Sequence, residues 1–358
     1  MPISAPIRYS PDLETLQPDE QETIQGLNDT FDKILNTTAN DYGHAVRSVH
    51  AKAHGILQGK LRVRDGLPPE LAQGLFARPA TYTVFMRLST NAGDILPDAI
   101  ALPRGLAMKV VGVDGERLPE AAGRTQDFVM VNGPVFQVKT ADKFLGSLKL
   151  LAKTTDRMEG TKTVMSSVLQ TVNNALETVG ITSSTIQSLG GAPNINPLGE
   201  TYFSVTPFRY GEYVAKFSLK PVAPDLTELT GREIDTSVRE DAIRETIQGE
   251  MQMIQGEWEF QVQLCRDVKA QPIEDPTVEW DQDDAPFVTV ATITAAPQDS
   301  WSDEQVQRVN EEMRFSVWTG LAAHQPLGNI NRARKAPYEH SANFRAGFNK
   351  CPIHEPKQ

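Results

Sequence analysis

A histidine and two arginines near the start of the chain have side chains and spacings suited to proton transfer and to anion binding. His50 follows Arg47 by three residues, which is one turn if this segment is locally helical, and Arg87 precedes Ser89 by two. Imidazole exchanges protons near neutral pH, and the planar guanidinium group donates two parallel hydrogen bonds to a carboxylate. The competing interpretation is a buried histidine bonded to a backbone carbonyl and two surface ion pairs.

The composition excludes several classes of function. A net charge of −11 disfavours binding to nucleic acid or to an anionic membrane. The two cysteines, Cys265 and Cys351, are far apart, which argues against a disulfide framework and a thiolate metal cluster. The N-terminal residues lack the basic and apolar regions of a signal peptide, and no apolar run reaches the roughly 20 residues of a spanning helix. We therefore expect a cytoplasmic protein whose partners are small molecules.

The hydrophobic pattern predicts an α+β fold with an antiparallel barrel. Repeated prolines predict an extended N-terminal arm over residues 1–18, followed by one domain over residues 19–358. Apolar residues at helical spacing predict a helix from residue 20 to about residue 55. Strand patterns cover residues 82–89, 105–113, 127–131, 200–221, 258–268 and 287–293. Runs of strands without βαβ alternation favour a barrel surrounded by helices.

Two further helical regions are predicted. One is an insertion over about residues 140–190, which ends in a loop rich in glycine and proline. The other covers about residues 302–350. Within it, Ser302 is a candidate N-cap for a helix over residues 303–323, and Pro326 follows as a stop signal.

Five stretches, in this order, resemble the catalase superfamily, and its small bacterial members most of all. They are Arg47-Ser-Val-His50-Ala-Lys, Arg87-Leu-Ser89-Thr, Pro103-Arg104-Gly105-Leu-Ala-Met-Lys109, Asn132-Gly-Pro134-Val-Phe136, and Arg314-Phe-Ser-Val-Trp318 followed by Leu327-Gly328. The resemblance implies a barrel, helices and a threaded arm around a buried haem b. It also implies activity on hydrogen peroxide or an organic hydroperoxide.

The resemblance assigns a role to each candidate residue. His50, oriented by Ser89, would carry a proton between the two oxygens of the peroxide. Arg47 and Arg87 would bind the haem propionates. Three apolar residues would line the haem pocket: Val49, Phe136 and Phe144.

The distal asparagine of the family has no direct counterpart. When Phe136 and Phe144 are aligned with the family, that position falls on Val131, which cannot form a hydrogen bond to a peroxide. Asn132 is the neighbouring candidate. It could replace the missing amide if a bulge or twist turned it into the pocket, because adjacent strand residues face opposite sides.

The iron ligand is the largest departure. In the family a tyrosinate follows an arginine by four residues, whereas Trp318 follows Arg314 here, and an indole has no lone pair to offer iron. His324 is an alternative ligand, although a histidine near a helix end can simply bind carbonyl groups there. Tyr338 is a further conceivable oxygen ligand. Trp318 and Arg314 could also form a cation–π pair that fills the space in a protein without haem.

These observations support one leading hypothesis and two alternatives. The leading one is a haem-dependent peroxidase, catalase or hydroperoxide-rearranging enzyme, with full catalase activity weakened by the missing tyrosinate. The alternatives are a haem-free protein of the same fold that binds another apolar ligand, and a structural subunit. The resemblance also implies a homo-oligomer.

Overall fold

A closed antiparallel barrel forms the centre of the fold in the computed structural model, which describes residues 4–155 and 194–356. Its strands are β1 (Ala53–Val63), β2 (Thr81–Thr90), β3 (Arg104–Val111), β4 (Thr125–Val131), β5 (Tyr202–Phe203), β6 (Phe208–Tyr210), β7 (Tyr213–Pro221), β8 (Gly256–Leu264) and β9 (Phe287–Ala295). The hydrogen-bonded order is β5-β4-β3-β2-β1-β9-β8-β7, and pairing of β5 with β7 closes the ring, with β6 added to β7 as a hairpin. The predicted fold class is confirmed.

Aromatic side chains fill the interior of the barrel. Along β8, Trp258 and Phe260 are buried, whereas Glu257 and Glu259 are more exposed. This is the two-residue period of a strand with one face on a core. Phe260 packs against Phe128 of β4 and Phe76, with ring centroids 4.7 and 5.3 Å apart. These rings remove a large apolar area from water, so they account for much of the stability of the barrel.

The first helix is shorter than the sequence predicted. It ends at Tyr42, whereas the prediction reached about residue 55, and β1 begins at Ala53 within the predicted range. Helix α1 (Glu20–Tyr42) is followed by Gly43, which takes the left-handed conformation with φ 62°. The first half of β1 is buried on both faces and shows no alternation. A residue with a side chain at Gly55 or Gly59 would meet Ile247 or the carbonyl group of Thr294. A fully buried strand of this kind resembles a buried helical segment in sequence.

Five more helices accompany the barrel within residues 4–155 and 194–356. They are α2 (Ala141–Thr155), α3 (Pro224–Thr227), α4 (Ala242–Met251), α5 (Asp303–Gln305) and α6 (Asn329–Phe348). Helices α1, α2 and α6 share an apolar cluster outside the barrel, which includes Phe31, Leu148 and Ile330. Helix α2 lies within the predicted insertion, and residues 156–190 of that prediction lie outside the described residues. No helix in the described ranges is long and apolar enough to cross a bilayer.

The predicted helix over residues 303–323 was wrong in extent. Ser302 caps the start as expected, since its hydroxyl group accepts a hydrogen bond from the Gln305 amide. Helix α5 then widens into a π-helix (Val306–Glu311) and stops. The long C-terminal helix is α6, which continues through Pro337. Helix α6 lies inside the helical region predicted over about residues 302–350, but its own bounds were not predicted.

The N-terminal arm packs on its own chain. The Ile7 amide donates to the Cys265 carbonyl group, and the arm residues Tyr9 and Leu13 pack with Ile7 on a small apolar cluster that includes Trp280. The arm is therefore attached to the outside of the barrel near β7 and β8.

His324 lies inside the barrel. Its Nε2 accepts a hydrogen bond from the Leu75 amide at 2.9 Å, and its ring contacts Phe76 and Phe128. Burial lowers the pKa of His324 from 6.5 to about 3. The imidazole is therefore neutral in the folded protein at any pH above about 3.

We expect His324 to make the fold sensitive to mild acid. Between pH 6.5 and 3 the unfolded chain takes up a proton at this residue and the folded chain does not, so stability falls as the pH falls. The loss from pH 7 to pH 5 is ~2 kcal/mol for this one group. Urea unfolding at both pH values should show that His324→Gln, which keeps an acceptor for Leu75, reduces the pH dependence by this amount. His44→Gln changes a half-exposed histidine (49%) and serves as the control; an equal pH dependence in the H324Q and wild-type proteins would contradict the account.

Candidate active site

A cavity of about 620 Å³ lies between the barrel and helices α1, α2 and α6. Barrel residues such as Val129 line one side, and Phe31 and Phe144 of the helices line another. A second cavity of about 70 Å³ adjoins it, and both are lined by Val49, His50 and Tyr338. The size and the apolar lining are those of a site for a small organic ligand or cofactor.

His50 enters the cavity from the segment just before β1. Its backbone has φ 53°, a left-handed conformation that costs of order 1–3 kcal/mol and is often found at functional sites. Its Nδ1 lies 3.1 Å from the Ser89 hydroxyl oxygen. The Ser89 hydroxyl group donates to the Gly105 carbonyl group at 3.4 Å, so the same oxygen accepts from His50 Nδ1–H. The lone pair of His50 is then on Nε2.

The imidazole of His50 is held neutral. Burial and, in decreasing order, the positive charges of Arg87, Arg334 and Arg47 together lower its pKa from 6.5 to about 3. The residue is therefore a proton acceptor at neutral pH. A proton that it accepts is readily released again, because the charged imidazolium is unfavourable in this environment.

Glycine at position 105 allows the imidazole to sit against β3. A Cβ atom there would lie 2.4 Å from Cε1 and 2.6 Å from Nδ1 of His50. Only hydrogen fits in this space. Gly105, the cross-strand partner of Ser89, thus leaves the space that the imidazole occupies.

Three arginines meet beside the smaller cavity, and we refer to the partly buried Arg47 and the buried Arg87 and Arg345 as the arginine cluster. No carboxylate within the described ranges lies at ion-pair distance from any of the three. Burial lowers the pKa of each, and the charge of Arg345 lowers the pKa values of the other two further. A guanidinium group nevertheless stays protonated at neutral pH. The cluster therefore holds three positive charges that suit a ligand with carboxylates.

Helix α6 places Arg334 and Tyr338 in the larger cavity. Arg334 donates a hydrogen bond from Nη2 to the Tyr338 phenol oxygen at 2.8 Å. The two residues are four apart and lie on one face of the helix, because this spacing is about one turn. Arg345, seven residues after Tyr338, lies on the same face and belongs to the arginine cluster. The arginine–tyrosine spacing expected below the iron is therefore present at residues 334–338, where sequence reasoning gave it no weight.

The residues first aligned with the iron ligand lie elsewhere. Trp318 does not line either cavity, and its indole N–H donates to the Asn331 carbonyl group at 2.7 Å. His324 is enclosed in the barrel interior. Arg314 lines the smaller cavity, and its Nε lies 3.4 Å from a carboxylate oxygen of Glu355. Neither Trp318 nor His324 therefore lies at the cavity that His50 lines, which corrects their placement at the haem site. The cation that lies over the Trp318 ring is Lys335, in place of the Arg314 that the sequence suggested.

Val131 and Asn132 both line the larger cavity, but the amide of Asn132 is already in use. Its Nδ2 donates to Glu200 at 2.7 Å and its Oδ1 accepts from the Arg104 amide at 2.9 Å. The Asn132 side chain therefore connects Glu200 to the backbone of Arg104. Phe136 and Phe144 line the cavity side by side, with ring centroids 5.6 Å apart.

Comparisons with known proteins agree with the fold. The family model described as Catalase matches residues 22–312. This match ends before α6, so the placement of Tyr338 depends on the geometry alone. A search of curated proteins gave no match.

Solved catalase structures are similar to this chain. They include catalase A from Saccharomyces cerevisiae (16% identity, TM-score 0.60, covering 88% of this chain and 64% of that one), a fungal catalase (18%, 0.62, 87% and 61%) and a bacterial catalase (16%, 0.60, 89% and 61%). At such identities the likeness shows the fold alone. The chain spans only 61% to 64% of the length of these catalases.

We expect Gly105→Ala to displace the His50 imidazole, because the added methyl group and the ring cannot occupy the same space. Nitrogen NMR of the imidazole should show the Nδ1–H tautomer in the wild-type protein and a mixture of tautomers in the G105A protein. Gly133→Ala is the matched control, since Gly133 lines the same cavity and a Cβ there would meet nothing within 4 Å. Identical imidazole spectra for the G105A and wild-type proteins would refute the proposed contact.

Proposed function

The chain belongs to the catalase family, and from this premise we propose that it is a haem-dependent peroxidase that acts on hydrogen peroxide or an organic hydroperoxide. The observation that carries the proposal is the arrangement of four groups around the two adjoining cavities. These groups are the neutral imidazole of His50, the phenol of Tyr338 with its Arg334 partner, the apolar walls, and the arginine cluster.

The residues present fit a haem. The buried arginine cluster lacks carboxylate partners within the described chain and would take the two propionates. Phe136, Phe144 and Val49 would pack on the porphyrin. Tyr338 would supply an oxygen ligand to iron, with Arg334 stabilising its negative charge. When bound, the haem would supply the redox chemistry that breaks the O–O bond.

His50 performs the proton transfer in this proposal. Its Nε2 would accept the proton from the hydroxyl oxygen of the hydroperoxide and return it to the second oxygen, so that the leaving group is a neutral alcohol or water. The haem, when bound, would supply the electrons for O–O cleavage and the acceptor for the remaining oxygen atom. Ser89 and Gly105 hold the ring in the tautomer that this transfer needs. The low pKa of His50 favours the return of the proton.

The cavity wall favours a hydroperoxide over disproportionation of hydrogen peroxide. Val131 has no polar atom to offer, and both polar atoms of the Asn132 side chain are engaged with Glu200 and Arg104. Hydrogen peroxide would therefore gain no hydrogen bond from Val131 and would have to compete with Glu200 and Arg104 for Asn132. An organic hydroperoxide can place its carbon chain against the apolar residues instead.

We expect Tyr338, and not His324, to be the iron ligand. Titration of the apoprotein with hemin should give a Soret band at one haem per chain in the wild-type protein. In the Tyr338→Phe protein the affinity should fall by about tenfold or more, and the spectrum of a ferric phenolate should be lost. Trp318→Phe and His324→Gln are the controls and should keep the wild-type spectrum. A Y338F spectrum equal to that of the wild-type protein, or no haem binding in the wild-type protein, would reject the proposal.

We also expect His50→Gln to separate haem binding from turnover. Loss of a positioned acid–base group lowers turnover of a hydroperoxide by roughly 10²–10⁴-fold, while the hemin affinity stays within a few-fold of the wild-type value. His340→Gln is the control, because His340 contacts Asp32 instead of the cavity. Steady-state rates with hydrogen peroxide and with an alkyl hydroperoxide measure the effect. Unchanged turnover in the H50Q protein would remove His50 from the mechanism.

A further inference from the structure

Asn310 is the common hydrogen-bond partner of all three members of the arginine cluster. Arg47 donates to its side-chain oxygen at 3.0 Å and to its backbone carbonyl group at 2.8 Å. Arg87 donates from Nε to the same side-chain oxygen at 3.0 Å, and Arg345 donates to the backbone carbonyl group at 3.0 Å. One residue thus orients three cationic side chains that come from different parts of the fold.

The π-helix (Val306–Glu311) explains how one residue can do this. Asn310 lies near its C-terminal end, where carbonyl groups lack helical partners and the helix dipole is negative. Arg47 also donates to the Met313 carbonyl group at 3.1 Å, and Arg345 donates to that of Glu311 at 2.8 Å. The guanidinium groups therefore cap this helix end through neutral oxygens.

The amide of Asn310 satisfies the arginine donors without cancelling their charge. Aspartate would offer the same acceptor with a full negative charge. The acid that does raise the pKa values of the cluster is Glu311. Its two carboxylate oxygens contact the Asn310 side-chain amide at 2.8 Å and His44 Nε2 at 3.0 Å, so Glu311 is bound on the outer side of Asn310.

We propose that Asn310 is a positioning residue that holds the arginine cluster in place through neutral oxygens and so keeps its charge available for a ligand with two carboxylates. The inference rests on the proposed function for the identity of that ligand as haem. In the apoprotein the charges of the arginine cluster have no carboxylate at ion-pair distance in the described chain, and this lowers the free energy of unfolding. The inference also predicts selectivity for the free propionates over their esters.

A charge-conserving exchange tests this inference. The Asn310→Asp, Glu311→Gln double variant has the net charge of the wild-type protein, but its carboxylate lies among the three arginines instead of outside them. The amide of residue 311 can donate to the new aspartate, which avoids repulsion between neighbouring acids. Glu311→Gln alone is the matched control. The affinities for hemin and for hemin dimethyl ester, which has no free carboxylates, are measured by titration of each apoprotein.

Two results are expected. The double variant should bind hemin about tenfold or more weakly than both the wild-type and the E311Q proteins, with a much smaller change for the dimethyl ester. The melting temperature of its apoprotein should be at least about 2–4 °C above those of the wild-type and E311Q apoproteins, because the positive charges of the cluster gain a negative partner. The melting temperature requires no haem, so it tests Asn310 even if the wild-type protein fails to bind hemin, which would be a failure of the proposed function. Equal loss for hemin and its ester, unchanged hemin affinity, or an apoprotein no more stable than the controls would overturn the inference.

Discussion

The burial of three guanidinium groups with no carboxylate at ion-pair distance in the described chain is the constraint on which the site depends. Like charges in a desolvated space repel each other, and the fold tolerates them because backbone and amide oxygens satisfy their donors. The arginines come from three elements: the segment before β1, strand β2, and helix α6. Each also carries a residue of the candidate active site, namely His50, Ser89 and Tyr338. The contacts that gather the charges therefore also bring the imidazole and the phenol to one cavity.

The spacing of three residues along α6 places them on one face of the helix. Residues 334, 338 and 345 are separated by four and seven positions, so the arginine–tyrosine pair and the third member of the cluster share a face. Pro337 stands between them without ending the helix. A cofactor that contacted this face would meet the phenol and the cluster together. Another part of the wall carries the imidazole of His50, the apolar Val131, and Asn132, whose side chain is bonded to Glu200 and to the Arg104 amide.

The sequence predicted the barrel more completely than the site. Strands with one buried face, such as β8, carry an alternation that identifies them directly. Strand β1 was missed because burial on both faces removes that signal. Helix α6 falls inside the helical region predicted over about residues 302–350, but its bounds were not predicted. The local pairs Arg47 with His50 and Arg87 with Ser89 were visible as spacings. Tyr338 was named only as a conceivable ligand, and its pairing with Arg334, four residues earlier on α6, was not predicted. The convergence on Asn310 joins residues more than 200 positions apart and left no local pattern.

A crystal structure of the protein reconstituted with hemin is the most direct test of the central claim, which is that one cavity receives a porphyrin between His50 and Tyr338. The account predicts electron density for the ring in this cavity, iron bonded to the phenol oxygen of Tyr338, and both propionates against the arginine cluster. Density for iron bonded to another side chain, or propionates that point away from the three arginines, would contradict it.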